Sequence, residues 1–152
     1  MKNKIVLFCL LLLAGQAVFA DGFAQYEKDI RRLVPEFAGF GERSGRDINL
    51  LDKERKTVAV LRVAPEKYER VEGFDGVVNV AVVLKNDRII GIAIGKNSET
   101  PRWIQKVRAS GFMEKWNGKT LAEAEKLKVD AVTGATYTSE AVKSEVKAVV
   151  SK

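Results

Sequence analysis

The chain has 152 residues, a formal net charge of +6 from 26 basic and 20 acidic side chains, a single cysteine and no histidine. Without histidine it lacks the commonest general base and the commonest zinc ligand, and one cysteine excludes an internal disulfide. Charge alternates in sign along Asp52-Lys53-Glu54-Arg55-Lys56 and Glu66-Lys67-Tyr68-Glu69-Arg70, the pattern of solvated faces and not of the one-sided basic patch that binds nucleic acid.

The first twenty residues read as an export signal. Lys2 and Lys4 precede the apolar stretch Ile5 to Ala14, and Val18-Phe19-Ala20 offers a small-residue cleavage pattern ahead of Asp21. The stretch falls short of the roughly 20 apolar residues that span a bilayer. The expectation is a signal over 1–20 and one domain over 21–152, located outside the cytoplasmic membrane. Gln16 stands where a lipid-attachment cysteine would follow Leu12-Leu13-Ala14-Gly15, which argues against a lipoprotein. Cys9 leaves with the signal, so the mature chain is expected to have no thiolate metal site and no haem-attachment pair. Loss of Lys2 and Lys4 lowers the charge to +4, with 24 basic and 20 acidic residues. The remaining residues, about 132 in number, suffice for a single domain with a real core. Any electron chemistry in such a chain rests on a bound organic group.

Along the mature chain, Tyr26, Ile30, Leu33 and Phe37 recur at helical spacing from Phe23, with a break at Pro35. Thr57 to Val63 alternates and is rich in β-branched residues, Val77 to Leu84 is almost continuously apolar, and Arg88 to Ile94 follows Lys85-Asn86-Asp87. These predict three strands. The last two form a hairpin closed at Asn86-Asp87, and Val77 to Leu84 is buried on both faces. Pro101 starts a helix carrying Trp103, Ile104 and Val107, and Gly111 ends it. Trp116-Asn117-Gly118-Lys119 makes a turn, and Thr120 caps a short helix through Leu121, Ala124 and Leu127. A terminal helix with Val142, Val146, Val149 and Val150 on one face begins near Thr138. The fold class is α+β: a small antiparallel sheet with helices packed on it, in one domain.

The segment from Asp130 to Ser139 is a hydroxyl-rich turn before that last helix. Its small residues Gly134 and Ala135 leave room for a bulky group, and a helix start offers unpaired N–H groups to a phosphate. The same residues also make an ordinary turn and N-cap, in which Thr and Ser oxygens accept from the free N–H groups.

Asp130-Ala131-Val132-Thr133-Gly134-Ala135-Thr136 resembles the Asp-x-x-(Ser/Thr)-Gly-Ala-(Thr/Ser) signature of the covalent FMN-binding domain, as in the C subunit of sodium-pumping NADH:quinone reductase and the G subunit of the Rnf complex. The similarity continues in Gly73-Phe74-Asp75-Gly76, in the hairpin Asn86 to Gly91 and in Glu99-Thr100-Pro101, and spans roughly Thr57 to Val150. It implies that an FAD-using, magnesium-dependent flavinyl transferase joins FMN through its phosphate to Thr136. It implies further that Thr133, Gly134, Ala135, Glu99 and Thr100 shape the site, and that Asp130 serves recognition by the transferase. The family's Gly-Leu-Gly after Glu-Thr-Pro is replaced here by Arg102-Trp103-Ile104. Trp103 either stacks on the flavin or anchors the core beside Ile104 and Val107. Thr100 orients the ring or caps the helix at Pro101, and Asp130 has the alternative of capping a nearby turn.

The resemblance thus implies an exported electron carrier, not an enzyme with catalytic residues or a metal of its own. It would pass electrons from a membrane-bound donor to an extracytoplasmic reductase. Two other readings remain open at this point: a cofactor-free interaction module, and reversible FMN binding as in a flavin reductase.

Overall fold

The computed structural model describes residues 22–152. The expected export signal over 1–20 lies outside the described residues.

A five-stranded antiparallel sheet in the order β1-β2-β3-β4-β5 forms the frame, with β1 at Gly39–Ser44, β2 at Asp47–Leu51, β3 at Thr57–Val63, β4 at Val78–Lys85 and β5 at Arg88–Asn97. The four α-helices among the described residues are α1 (Glu27–Leu33), α2 (Pro101–Ala109), α3 (Leu121–Lys126) and α4 (Thr136–Val150). None of them is long and apolar enough to cross a membrane. The α+β class and the antiparallel sheet therefore stand as expected. The first two strands were not foreseen.

Helix α1 stops at Leu33 because Pro35 disfavours helical backbone at the residue before it, and Val34 turns out at φ −130°, ψ 83°. The β4–β5 hairpin closes on Asn86 and Asp87 at φ 51° and 60°, the two left-handed positions of a type I′ turn. A register shift then moves the pairing from Val83–Gly91 to Leu84–Ile89. This bulge is how Ile89 and Ile92, three residues apart, come to share one face. The alternating charges of Asp52 to Lys56 form the β2–β3 turn: Lys56 N–H donates to Asp52 Oδ1 at 2.9 Å, and Arg55 takes φ 63°.

The sheet is covered on both sides. Val78, Val80, Val82, Ile89, Ile92 and Ile94 face α2, α3 and α4 through Val107, Ala124, Val142, Val146 and Val149. The opposite face, with Ile48, Leu50, Ala59, Leu61, Ala81, Val83 and Ala93, is covered by Tyr26, Ile30, Val34 and Phe37. Strand β4 is consequently buried on both faces, as its apolar run predicts. Helix α1 sits close against β5 because Gly91 and Gly95 have no side chains there. A methyl group on Gly91 would lie 2.3 Å from Leu33 Cδ2, and one on Gly95 2.7 Å from Tyr26 Cε1.

Two polar assemblies tie the layers together. Glu145 of α4, 1% exposed, accepts from Tyr68 Oη at 2.5 Å and from Arg70 Nε at 3.0 Å, both in the β3–β4 loop. At the far end of α4, Arg46 donates to the Ala148 carbonyl at 3.1 Å and also to that of Ser151, while Arg62 donates to the Val149 carbonyl at 3.1 Å. These arginines serve the unpaired carbonyls and the negative end of the helix dipole.

The tyrosines make the fold sensitive to alkali. Burial first, then the Glu145 carboxylate, pushes the Tyr26 hydroxyl up to about 12, and burial with the hydrogen bond to Glu145 raises Tyr68 as well. Between the unfolded tyrosine value near 10 and these raised values the unfolded chain binds fewer protons than the folded one, so stability falls as pH rises. Melting temperature is expected to be level below about pH 9.5 and to drop above pH 10. Tyr26→Phe, measured by circular dichroism across that range, should flatten the drop; an unchanged slope would show that Tyr26 is not its source.

Candidate functional site

Three short segments meet at the start of α4: the Gly73–Gly76 loop, the stretch Glu99-Thr100-Pro101 after β5, and the turn Val132–Thr136. Gly73 N–H donates to the Gly76 carbonyl at 2.7 Å, and Gly76 takes φ 135°. Gly73 leaves room for Glu99: a methyl group there would lie 2.2 Å from Glu99 Oε1 and displace the carboxylate. Glu99 is buried and divides its oxygens between two segments. Oε1 accepts from Asp75 N–H at 2.9 Å, and Oε2 accepts from the Thr138 hydroxyl. Asp75 in turn accepts from the hydroxyl of Thr100 at 2.5 Å and from its N–H at 2.9 Å. These two bonds hold the Asp75 carboxyl below the usual carboxylate range.

The turn enters α4 through Gly134 at φ 75°, a conformation suited to glycine. Ala135 N–H donates to the Val132 carbonyl at 2.9 Å, and Ala135 is the N-cap with no side-chain capping bond. The helix thus begins at Thr136, two residues earlier than its apolar spacing predicts. The hydroxyls of the turn are not caps. Thr138 is committed to Glu99, and Ser139 Oγ accepts from Val132 N–H at 2.9 Å while donating to the Thr136 carbonyl at 3.0 Å. Thr136 is exposed and stands first in a helix whose opening N–H groups have no side-chain partner. No acidic residue lies in that first turn.

Around Thr136 is a pocket of about 240 Å³ lined by Phe74, Trp103, Gly134, Ala135, Thr136, Tyr137 and Thr138. Its walls are aromatic. Phe74 and Tyr137 are 62% and 66% exposed, with ring centroids 6.3 Å apart, and Phe74 lies 6.0 Å from Trp103. The two exposed rings and Trp103 make one aromatic surface beside Thr136.

The site residues expected from sequence divide between two places. Gly134, Ala135, Thr136 and Trp103 line the aromatic pocket. Glu99 braces it from behind through Thr138. Thr100 neither caps α2, which has no side-chain capping bond at its start, nor faces the pocket; its hydroxyl holds Asp75. Asp130 and Thr133 line a second, larger cleft of about 620 Å³. Trp103 packs against the core and also lines the pocket. The Arg102 guanidinium lies over its ring at 4.2 Å, so that face is taken by a cation. Sequence reasoning left out Phe74 and Tyr137 as walls, although Phe74 follows Gly73 and Tyr137 follows Thr136.

Thr138→Val removes one hydroxyl at constant volume and leaves Glu99 Oε2 buried without a donor. The expected cost is about 2 kcal/mol, the desolvation penalty of an orphaned buried acceptor, read as a lowered midpoint in urea. A change within 0.5 kcal/mol, the usual effect of a surface substitution, would mean that water replaces the lost donor.

Fold and site together define a small α+β domain with an aromatic ligand pocket at a helix start. Residues 73–151 match the family model described as FMN-binding domain, more than half of the chain, and the protein belongs to that family. Comparison with curated proteins finds no match.

The residues present fit FMN. The uncapped N–H groups of α4 suit a phosphate, and Phe74, Trp103 and Tyr137 offer aromatic surface to a flat ring system.

Proposed function

We propose that this chain is an exported flavoprotein that carries FMN through a phosphoester on Thr136 and relays electrons from a membrane-associated donor to an extracytoplasmic reductase. The observation that carries this reading is the exposed Thr136 hydroxyl at the first position of an uncapped helix, framed by aromatic walls. Bound flavin supplies one- or two-electron transfer, chemistry that no side chain of this protein offers.

The chain's own residues have distinct tasks in this reading. Thr136 Oγ1 provides the attachment atom. The opening N–H groups of α4 face the phosphate with the positive end of the helix dipole. Glu99, through Thr138 and Asp75, fixes the helix start against the Gly73 loop, so the walls of the pocket keep their spacing. Phe74 and Tyr137 shield one side of the ring. At about 240 Å³ the pocket is below the roughly 300–1,000 Å³ of sites that bury a small ligand, which favours a ring partly open to a redox partner.

A covalent bond also answers a supply problem. Outside the membrane free flavin is scarce, and a site of micromolar affinity, about 8 kcal/mol of binding, empties when ligand falls well below that concentration. A tethered ring is held at an effective concentration that reaches about millimolar.

The test is protein made with and without the flavinyl transferase, denatured and examined by gel fluorescence and intact mass. A gain of FMN less one water on the peptide containing Thr136 supports attachment. Yellow colour lost on denaturation would replace it with reversible binding, and a colourless protein would leave an interaction module.

A further inference from the structure

Lys106 lies on α2, three residues after Trp103, and its ammonium rests on the turn that presents Thr136. A methyl group built on Gly134 would lie 2.3 Å from Lys106 Nζ and 3.2 Å from its Cε. Gly134, at φ 75°, has no side chain between the ammonium and the backbone there. Gly134 lines the aromatic pocket, whereas Lys106 lines the neighbouring 620 Å³ cleft together with Lys115, Lys128, Asp130 and Thr133. The ammonium therefore stands at the seam between the two cavities, over the residue two positions before the acceptor. Among the described residues no carboxylate pairs with it. Lys106 is exposed, so its ammonium lies against the turn before Thr136 in reach of an anion brought there from solvent.

We propose, on the reading of Thr136 as acceptor, that Lys106 is the positioning cation for the phosphate transferred to that residue. In the transfer a bond forms between Thr136 Oγ1 and the phosphorus on the riboflavin side of FAD. The bond from that phosphorus to the bridging oxygen breaks, the oxygen keeps the electron pair and departs on AMP, and the hydroxyl proton is released. Charge gathers on the non-bridging oxygens and on the departing phosphate, where a fixed ammonium offsets it. The compact point charge of lysine suits a phosphate that changes its bonding, and the anionic diester that remains keeps the same partner. Lys115 and Lys128 line the 620 Å³ cleft and not the pocket that holds Thr136, so they serve as controls for general attraction.

The experiment supplies unmodified protein with FAD, magnesium ion and the flavinyl transferase, and follows the initial rate of attachment by intact mass at several concentrations of acceptor. Lys106→Gln should lower turnover at saturating acceptor about tenfold, the loss of one charge-assisted contact, while its melting curve stays that of the wild type. Lys106→Arg should recover most of the rate, and Lys115→Gln and Lys128→Gln should stay near wild type. An unchanged rate in Lys106→Gln overturns the assignment. Equal losses in all three glutamine variants overturn it too, because the cleft would then act as a whole in attracting the transferase. A wild-type chain that acquires no flavin defeats the acceptor reading itself, whereas a modified wild type with an indifferent Lys106→Gln defeats only the positioning role.

Discussion

A Thr136→Val chain co-produced with the transferase is expected to contain no covalent flavin, while Thr136→Ser remains modified. Valine keeps the branched shape of threonine and removes only the oxygen. Position 136 is exposed and precedes the hydrogen-bonded body of α4, so the change in stability should stay within about 0.5 kcal/mol. Loss of fluorescence on a denaturing gel then reports chemistry and not unfolding. The neighbouring hydroxyls cannot substitute for it. Thr138 is 1% exposed and bonded to Glu99, and Ser139 is fully buried with its oxygen shared between Val132 and Thr136. Thr133 is exposed but lines the other cleft. Fluorescence retained in Thr136→Val would place the attachment on another residue, Thr133 or Tyr137, and the tryptic mass map would say which.

The largest stability effect is expected at Asp29, on the opposite side of the molecule from that oxygen's chemistry but joined to it by α2. Asp29 of α1 is buried, accepts from the Ile94 N–H at 2.9 Å, and holds the Arg108 guanidinium at 3.1 and 2.7 Å through both oxygens. Arg32 stands 3.5 Å away. Strand β5 ends the sheet, so the Ile94 N–H has no strand to pair with and depends on this carboxylate. Asp29→Ala orphans that N–H and deprives Arg108 of its two-pronged partner. A loss of about 3 kcal/mol follows, the low end for breaking a buried pair because Arg108 is partly hydrated. For a domain of this size that is a fall in Tm of roughly 10 °C. Asp29→Asn keeps an acceptor for Ile94 and should cost less. Urea midpoints for both variants check the order, and equal losses would assign the whole effect to charge.

The parts of the fold legible in the sequence were those where one residue type has one physical use. Strand β3 begins and ends at Thr57 and Val63 as its β-branched alternation predicts, Asn86-Asp87 closes the hairpin, and Thr120 caps α3 in a reciprocal box with Glu123. Strands β1 and β2 escaped notice because their local signal is thin. Gly39–Ser44 is glycine-rich and polar at its end, and Asp47–Leu51 offers only Ile48 and Leu50 to the core. The pairing of β1 with β2 and of β2 with β3, and the burial of Ile48 and Leu50 beneath α1, make them strands, and neither contact is visible in a short window. The start of α4 was misread by two residues for a related reason. Threonine and serine near a helix start usually cap it, but here Thr138 and Ser139 are drawn to Glu99 and Val132, distant partners that leave the start uncapped. Phe74, on the 73–76 loop, and Lys106, on α2, come to the turn before α4 only in the folded domain, so no spacing in the chain announces them, although Lys106 lies one turn beyond Trp103 on the same helix.

The strand order has a temporal meaning. Each strand pairs with its successor in the chain, so the sheet assembles from hairpins and a single crossing loop, each closing over a short separation at small entropic cost. The final helix is different. Its grip on Tyr68, Arg70, Arg46 and Arg62 spans 75 to 105 positions, and it docks on a strand completed long before it. Thr136, at the leading end of this helix, has its surroundings only when α4 is docked, so the pocket around it exists only in the closed domain.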